Sequence, residues 1–143
     1  MDEIDAAILR ELQKDGRMSM AALGSIVGVA PSTVFKRIEK LKKAGIIERF
    51  TIAINQKCFE HALIAFLNIR VHPDEKAEIE NFMRDLPGIL EVYEVLEPGD
   101  FFAKVRVQNI TELKRNVLMP LSSLRGVSDI QTIISVRKIK EQS

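Results

Sequence analysis

The sequence predicts an α+β chain in two parts, three short helices followed by a strand–helix–strand–strand–helix–strand unit. Three observations carry this expectation. Apolar residues recur at helical spacing as far as Gly45, they alternate at every second position in several stretches beyond it, and one short pattern recurs 38 positions later.

Asp2 is placed to cap the first helix, with Glu3 and Asp5 in a first turn where carboxylates favour the helix dipole. Ile4, Ile8 and Leu12, with Ala7 beside them, make its apolar stripe, and Lys14, Asp15 and Gly16 supply the stop. Ser19 is expected to cap a second helix of about two turns, with Leu23, Ile26 and Val27 turned inward and Gly28 at its end. Pro31 suits the first turn of a third helix, whose buried stripe is Val34, Ile38 and Leu41 and which stops at Gly45. Residues 46–54 are β-branched and partly alternating, which reads as a linking strand.

The second part opens with Leu63, Ala65, Leu67, Ile69 and Val71, apolar at every second position, as in a strand with one buried face. Residues 74–86 carry Ile79, Phe82, Met83 and Leu86 on one helical face, and Pro87-Gly88 ends the run. Residues 89–96 and 101–108 read as antiparallel strands around Glu97-Pro98-Gly99-Asp100. Thr111 is expected to cap a last helix with Leu113, Val117, Leu121 and Leu124, kinked or broken at Pro120, and residues 127–139 close with a strand. Leu86-Pro87-Gly88-Ile89 recurs as Leu124-Arg125-Gly126-Val127, with Val92 matching Ile130, so the unit occurs twice. Two such units with right-handed crossovers form a ferredoxin-like βαββαβ sheet with both helices on one face. The other face, bearing Ile64 and Phe66, then needs cover, which a homodimer packing sheet on sheet supplies. These readings divide the chain into a helical domain at residues 1–48, a linking strand and hinge at 49–61, and a sheet domain at 62–143.

Composition narrows the function. The chain is 46% hydrophobic and 29% charged with mixed signs, as expected of a soluble globular protein. No apolar run is long enough to span a membrane, and the acidic start Met1-Asp2-Glu3 is opposite in charge to a signal peptide, so a cytoplasmic protein is expected. The single Cys58 excludes an internal disulfide and fits a reducing compartment. The formal charge of +1 conceals a local basic excess: Lys36, Arg37, Lys40, Lys42, Lys43 and Arg49 face only Glu39 and Glu48 between them. Such a run is either a solvated helix face or an electrostatic footprint for an anionic partner.

Ser32, Thr33, Lys36, Arg37 and Lys40 fall off the buried stripe of the third helix. Hydroxyls and cations on the outer face of such a helix are what groove reading and phosphate clamping need, and the short turn before it has helix-turn-helix spacing. A three-helix bundle without DNA binding shows the same periodicity. An enzyme is not supported: His61 and His72 lie in no nucleophile or metal motif, and Cys58-x-x-His61 lacks the second ligand pair of a zinc site. No catalytic residue, metal or cofactor is therefore assigned. A stand-alone amino-acid sensor, or an adaptor that regulates another protein, remains an alternative, separable by salt dependence, which is steep for phosphate contacts.

The chain carries Asp2-x-x-Asp5-x-x-Ile8-Leu9-x-x-Leu12-Gln13-x-Asp15-Gly16-Arg17. It also carries Ser32-Thr33-Val34-x-x-Arg37-Ile38-x-x-Leu41-x-x-x-Gly45-Ile46-Ile47, and Leu86-Pro87-Gly88-Ile89 ahead of the second strand. With these motifs it resembles, over nearly its full length, the Lrp/AsnC or feast/famine family of prokaryotic transcription regulators. The resemblance implies a winged or three-helix helix-turn-helix domain followed by a RAM-type domain of the ferredoxin-like kind. It implies a sequence-specific regulator, repressor or activator, that binds double-stranded DNA as a dimer or dimer-based oligomer.

By the same resemblance Ser32, Thr33 and Lys36 inherit base or backbone contacts, and Arg37 and Lys40 are phosphate clamps. Arg37 has a rival role, pairing with Glu39 or Glu48 to brace the helix. Ala30 stands where the family often has a capping serine, so Pro31 or Ser32 must compensate. The resemblance further implies homodimers that assemble to tetramers or octamers, and an amino-acid effector held between dimers. The family's effector turn commonly shows Gly-x-x-Asp, whereas this chain has Glu97-Pro98-Gly99-Asp100. A carboxylate at Glu97 repels a ligand carboxylate and attracts its ammonium group. Glu97, Gly99, Asp100 and Thr132 are the effector candidates, with a plain hairpin turn and sheet residue as the alternative.

Overall fold

Residues 1–55, 58 and 62–141 are described by the computed structural model, and the chain falls into two units that part between Ile54 and Asn55. In the first unit, helix α1 (Glu3–Lys14) starts on a closed capping box. Asp2 Oδ1 accepts the N–H of Asp5 at 2.9 Å and Asp5 Oδ2 accepts the N–H of Asp2 at 3.3 Å, so two otherwise orphaned donors are satisfied. Helix α2 (Met20–Val27) starts where Ser19 Oγ accepts the Ala22 N–H at 3.1 Å, and it closes at Gly28. Helix α3 (Pro31–Lys43) has Ala30 at its cap and no side-chain cap bond. Pro31 compensates, since an imino acid in the first turn has no N–H to leave unpaired; Ser32 does not act as the cap. The N–H groups of Thr33 and Val34 both reach Ala30 O.

Ile8, Leu23, Val34 and Ile38 form the core of this unit, with Ile4, Leu12, Val27 and Ile47 packed against it. Each fully buried aliphatic side chain contributes about 1.5–3 kcal/mol. Ile26, expected to point inward, is 54% exposed. The inward line of α2 runs through Leu23 and Val27, four residues apart, and buried Gly24 completes it, which leaves Ile26 at its side. The expected linking strand is absent as well: residues 48–55 have no regular structure, and Phe50, Ile52 and Ile54 are exposed. Alternation is a strand signal, but a strand needs a ladder partner, and none pairs with this segment among the described residues. With no strand between α3 and residue 55, the three-helix form is the one observed among the described residues. Of the expected hinge, residues 56, 57 and 59–61, including His61, lie outside the described residues.

The second unit is a four-stranded antiparallel sheet in the order β2-β3-β1-β4, built from β1 (Leu63–Val71), β2 (Ile89–Glu94), β3 (Phe101–Val107) and β4 (Val127–Ile134). After β1, His72 Nδ1 accepts the Asp74 N–H at 3.2 Å and opens a 3-10 turn (Pro73–Glu75) that leads into α4 (Lys76–Asp85). Alternate residues Leu67, Ile69, Phe101, Ala103 and Val105 meet Ile79 and Met83 of α4, and Leu113, Val117 and Leu121 of the last helix, in one core.

The 38-residue repeat is structural. Gly88 and Gly126 both adopt positive φ, 94° and 96°, immediately before β2 and β4, a conformation that L side chains rarely adopt. Ile89 and Val127, then Val92 and Ile130, pack against the core at matching places.

Two local expectations are corrected, for the cap of the last helix and for the end of the last strand, and at Pro120 an irregular turn replaces the break, one of the two expected outcomes. The last helix, α5, is capped by Asn109 and not Thr111: Asn109 Oδ1 accepts the Glu112 N–H at 2.8 Å, while Glu112 Oε2 accepts the Gln108 N–H at 2.6 Å. Pro120 does not break it. The helix runs from Ile110–Glu112 through a π-helical stretch (Leu113–Leu118) into Met119–Ser122, and the wider turn ahead of the proline accommodates its missing donor. Strand β4 ends at Ile134, because its partner β1 begins at Leu63 and the last ladder-like bond is Ser135 N–H to Ile64 O.

The sheet face away from the helices carries Ile64, Phe66, Asn68 and Arg70 of β1, which pair across to Phe102 and Lys104 of β3 and to Gln131 and Ile133 of β4. Phe66 and Phe102 stack with centroids 5.8 Å apart and planes 16° apart. Among the described residues, no helix is long and apolar enough to cross a membrane.

Candidate nucleic-acid interface

Helix α3 is seated by Val34, Ile38 and Leu41, at most 4% exposed, and a stripe buried at that spacing turns the opposite side of the helix to solvent. Ser32, Lys36 and Lys40 are exposed, and Thr33 and Arg37 are half-buried on the flank toward α1. Thr33, Lys36, Arg37 and Lys40 line one shallow groove, whose far wall is Asp2 and Asp5. Ser32 stands outside that groove, at the helix start.

Charge is distributed unevenly over this surface. Among the described residues Lys36, Lys40 and Lys43 form no ion pair, so their charges are available to an anion. A structural role for two of them coexists with this, since Lys40 and Lys43 lie in the last turn of α3, where cations favour the dipole. Arg37 is engaged. Its Nη1 donates to Asp2 Oδ2 at 2.6 Å and to Asp5 Oδ1 at 3.0 Å. The bracing partners expected from sequence, Glu39 and Glu48, are instead occupied by Lys42 at 3.3 Å and Arg49 at 3.9 Å. The Asp5 N–H and the Arg37 guanidinium together hold the Asp2 carboxyl down to about 2, and the two carboxylates raise the pKa of Arg37.

Two residues of this surface are not among the contacts expected from sequence, Phe35 and Lys43, the latter counted there only in the basic excess. Phe35 is 54% exposed beside Lys36 in the first half of α3, where an aromatic ring can meet a thymine methyl. Lys43 lies eleven residues after Ser32, close to three turns, so it returns to the same side of the helix as Ser32 and Lys36. A helical wheel drawn for the exposed side, and not only for the apolar stripe, identifies both.

The effector candidates do not converge within one protomer. Asp100 ties the turn to β1: its Oδ2 accepts the Val71 N–H at 2.8 Å and its own N–H donates to Ile69 O at 2.8 Å. Arg70 Nη2 donates to Pro98 O at 2.6 Å. Gly99 is buried against Asn68, whose side chain occupies the space a Cβ would need. Glu97 is exposed at the turn. Thr132 pairs with Leu67, on the helical side of the sheet, in a groove with Lys114, Leu118, Met119 and Ser122. The turn thus leans on the Asn68 side of β1 and Thr132 lies on the other.

Two family models match the chain, an AsnC-type helix-turn-helix domain over residues 1–42 and a Lrp/AsnC ligand binding domain over residues 64–143. The HTH-type transcriptional regulator FL11 of Pyrococcus furiosus is 34% identical over 141 residues, covering 99% of this chain and 93% of that protein. FL11 of Pyrococcus abyssi is 35% identical over the same length, with the same coverage. Among solved structures, E. coli AsnC matches with a TM-score of 0.91 at 24% identity, covering 100% of this chain and 97% of that one. The L-Met complex of a transcriptional regulator from Neisseria meningitidis matches with 0.87 at 22% identity, covering 100% and 94%. At these identities the solved structures speak to the fold alone.

Proposed function

The chain belongs to the Lrp/AsnC family of helix-turn-helix transcriptional regulators, and on that premise we propose that it binds duplex DNA as a dimer, with α3 of each protomer in the major groove. One observation carries the reading: an exposed row of Ser32, Lys36, Lys40 and Lys43 without ion partners among the described residues, on a helix seated by a fully apolar stripe. Ser32, Thr33, Lys36 and Phe35 are the base-side residues, and Lys40 and Lys43 meet phosphates. Action on DNA implies the cytoplasm as its compartment.

The uncovered sheet face supports the dimer. Phe66, Phe102 and Ile133 need cover that the two helices of this unit, on the other side of the sheet, do not give. A two-fold dimer sets its recognition helices about 34–36 Å apart, one DNA turn, and so calls for a pseudo-palindromic site. Higher assembly of such dimers would wrap or bend the duplex. The ligand-binding family model supports an amino acid as effector, and the L-Met bound by the Neisseria protein is of that class. In this chain Glu97 is the residue suited to an ammonium group, whereas the Asp100 carboxylate is already committed to Val71.

Selection of bound duplexes from a random-sequence library at two salt concentrations tests the reading. Recovery of an inverted repeat with half-sites one turn apart, bound far more weakly at the higher salt, is the expected result. Absence of any binding at low salt would overturn it.

A further inference from the structure

We propose that Arg37 is a positioning residue for DNA recognition and not a phosphate contact, clamped by Asp2 and Asp5 so that the first turn of α1 sets the orientation of α3. The inference rests on the regulator reading above and deepens it. Each of the two carboxylates has one oxygen in the capping box of α1, Asp2 Oδ1 on the Asp5 N–H and Asp5 Oδ2 on the Asp2 N–H. The remaining oxygen of each accepts from the same guanidinium nitrogen, at 2.6 and 3.0 Å. All four oxygens are thus used, and a local N-terminal motif is keyed to a side chain more than thirty residues away on the recognition helix.

The electrostatics run the same way. One guanidinium between two carboxylates leaves that trio with a net charge of −1, so Arg37 brings no uncompensated positive charge to a phosphate. Lys36 and Lys40, which line the same groove, and Lys43 have no such partner among the described residues, so they and not Arg37 offer charge to the DNA backbone. The Asp2 carboxyl is held well below its ordinary value and the pKa of Arg37 is raised, so both stay charged near neutrality. An aliphatic stripe such as Val34, Ile38 and Leu41 sets which side of the helix is buried through non-directional contacts. A charged two-pronged bond at the middle of α3 adds a directional constraint, which side chains aimed at base edges require.

The full-length Arg37→Gln, Asp5→Asn and double variants are titrated across a range of salt with two duplexes, the selected site and a scrambled one. Each single variant is expected to weaken the selected duplex about tenfold, within the coupling range of residues in one network, and the double variant to be no worse than the weaker single. Affinity for the scrambled duplex and the salt slope are expected to stay as in the unaltered chain. A slope reduced by about 0.9 in Arg37→Gln would mark a released phosphate contact and overturn the inference alone. Unchanged affinity for the selected duplex, with only a lower melting temperature, would reduce the clamp to a brace and also overturn it. Should Arg37→Gln not fold, Asp5→Asn alone carries the test: it leaves the guanidinium in place, so weaker binding of the selected duplex supports the clamp, and equal or tighter binding, as for a guanidinium freed toward a phosphate, overturns it. No binding by the unaltered chain would overturn the regulator reading itself, and this inference with it.

Discussion

The carboxylate of Asp100 accepts the backbone N–H of Val71 at 2.8 Å and so stitches the turn between β2 and β3 to the end of β1. The bond is partly buried, and removing the acceptor leaves a main-chain donor without a partner. Asp100→Ala is expected to destabilise the protein by about 1–3 kcal/mol, read as a lower denaturation midpoint at constant slope. An unmoved midpoint would show that another acceptor replaces the carboxylate.

Gly99 beside it is required by space. A Cβ there meets the side chain of Asn68 and lies 3.0 Å from Ile69 O, and a backbone oxygen in a sheet cannot withdraw. Gly99→Ala is expected to cost about 1–3 kcal/mol by overpacking, measured by thermal melting. A melting temperature equal to that of the unaltered chain would contradict the packing described.

Lys36→Ala removes an exposed cation with no ion partner among the described residues, so folding is expected to be unaffected. Affinity for the selected duplex is expected to fall, by about 1–3 kcal/mol if Lys36 reads a base, or with the salt slope smaller by about 0.9 if it meets a phosphate. Titration at two salt concentrations distinguishes the two, and unchanged affinity at low salt removes Lys36 from the interface.

Phe66 and Phe102 stack on the sheet face opposite the helices of the same unit. Phe66→Glu puts a charge into that face, and a charge desolvated at a dimer interface is costly. Sedimentation is expected to show the dimer shifted toward monomer, with the circular dichroism spectrum retained. A variant that sediments as the unaltered dimer would place the subunit contact elsewhere.

Acid sensitivity follows from Asp2. Its carboxyl titrates near 3.8 when unfolded and at about 2 when folded, so between those values the unfolded chain binds the extra proton. The stabilisation is complete above about pH 4 and is lost as pH falls toward 2. Acid melting of Asp2→Asn is expected to lack this component, so the two midpoints converge at the acid end. Curves that stay parallel from pH 5 to pH 2 would exclude it.

Much of this architecture is legible in the residue order because its signals are local. The buried stripe of α3, the caps at Asp2 and Ser19, the buried face of β1 and the Gly88/Gly126 repeat each depend on residues within one or two turns of one another, or on strict alternation. The misreadings occur where a partner at a distance decides. The segment at 46–54 has the composition of a strand and no neighbour to pair with among the described residues, and the last strand stops where its antiparallel partner β1 begins. Ile26 was misassigned because Leu23 and Val27 already fill the line facing the core.

The exposed face of α3 follows from its 3.6-residue period alone, and with it Ser32, Lys36 and Lys40. Which of the cations on that helix is free to meet an anion does not follow, because charge pairing depends on distances between segments far apart in the chain. Arg37 and Lys36 are neighbours in sequence and equivalent in charge, yet one lies against Asp2 and Asp5 and the other points to solvent. Likewise Asp100 keeps its place in the turn, but only the closing of the sheet hands its carboxylate to Val71. Periodicity along the chain determines which side of an element is buried, whereas the packing of α1 against α3 and of the turn against β1 decides what the exposed charges are left to do.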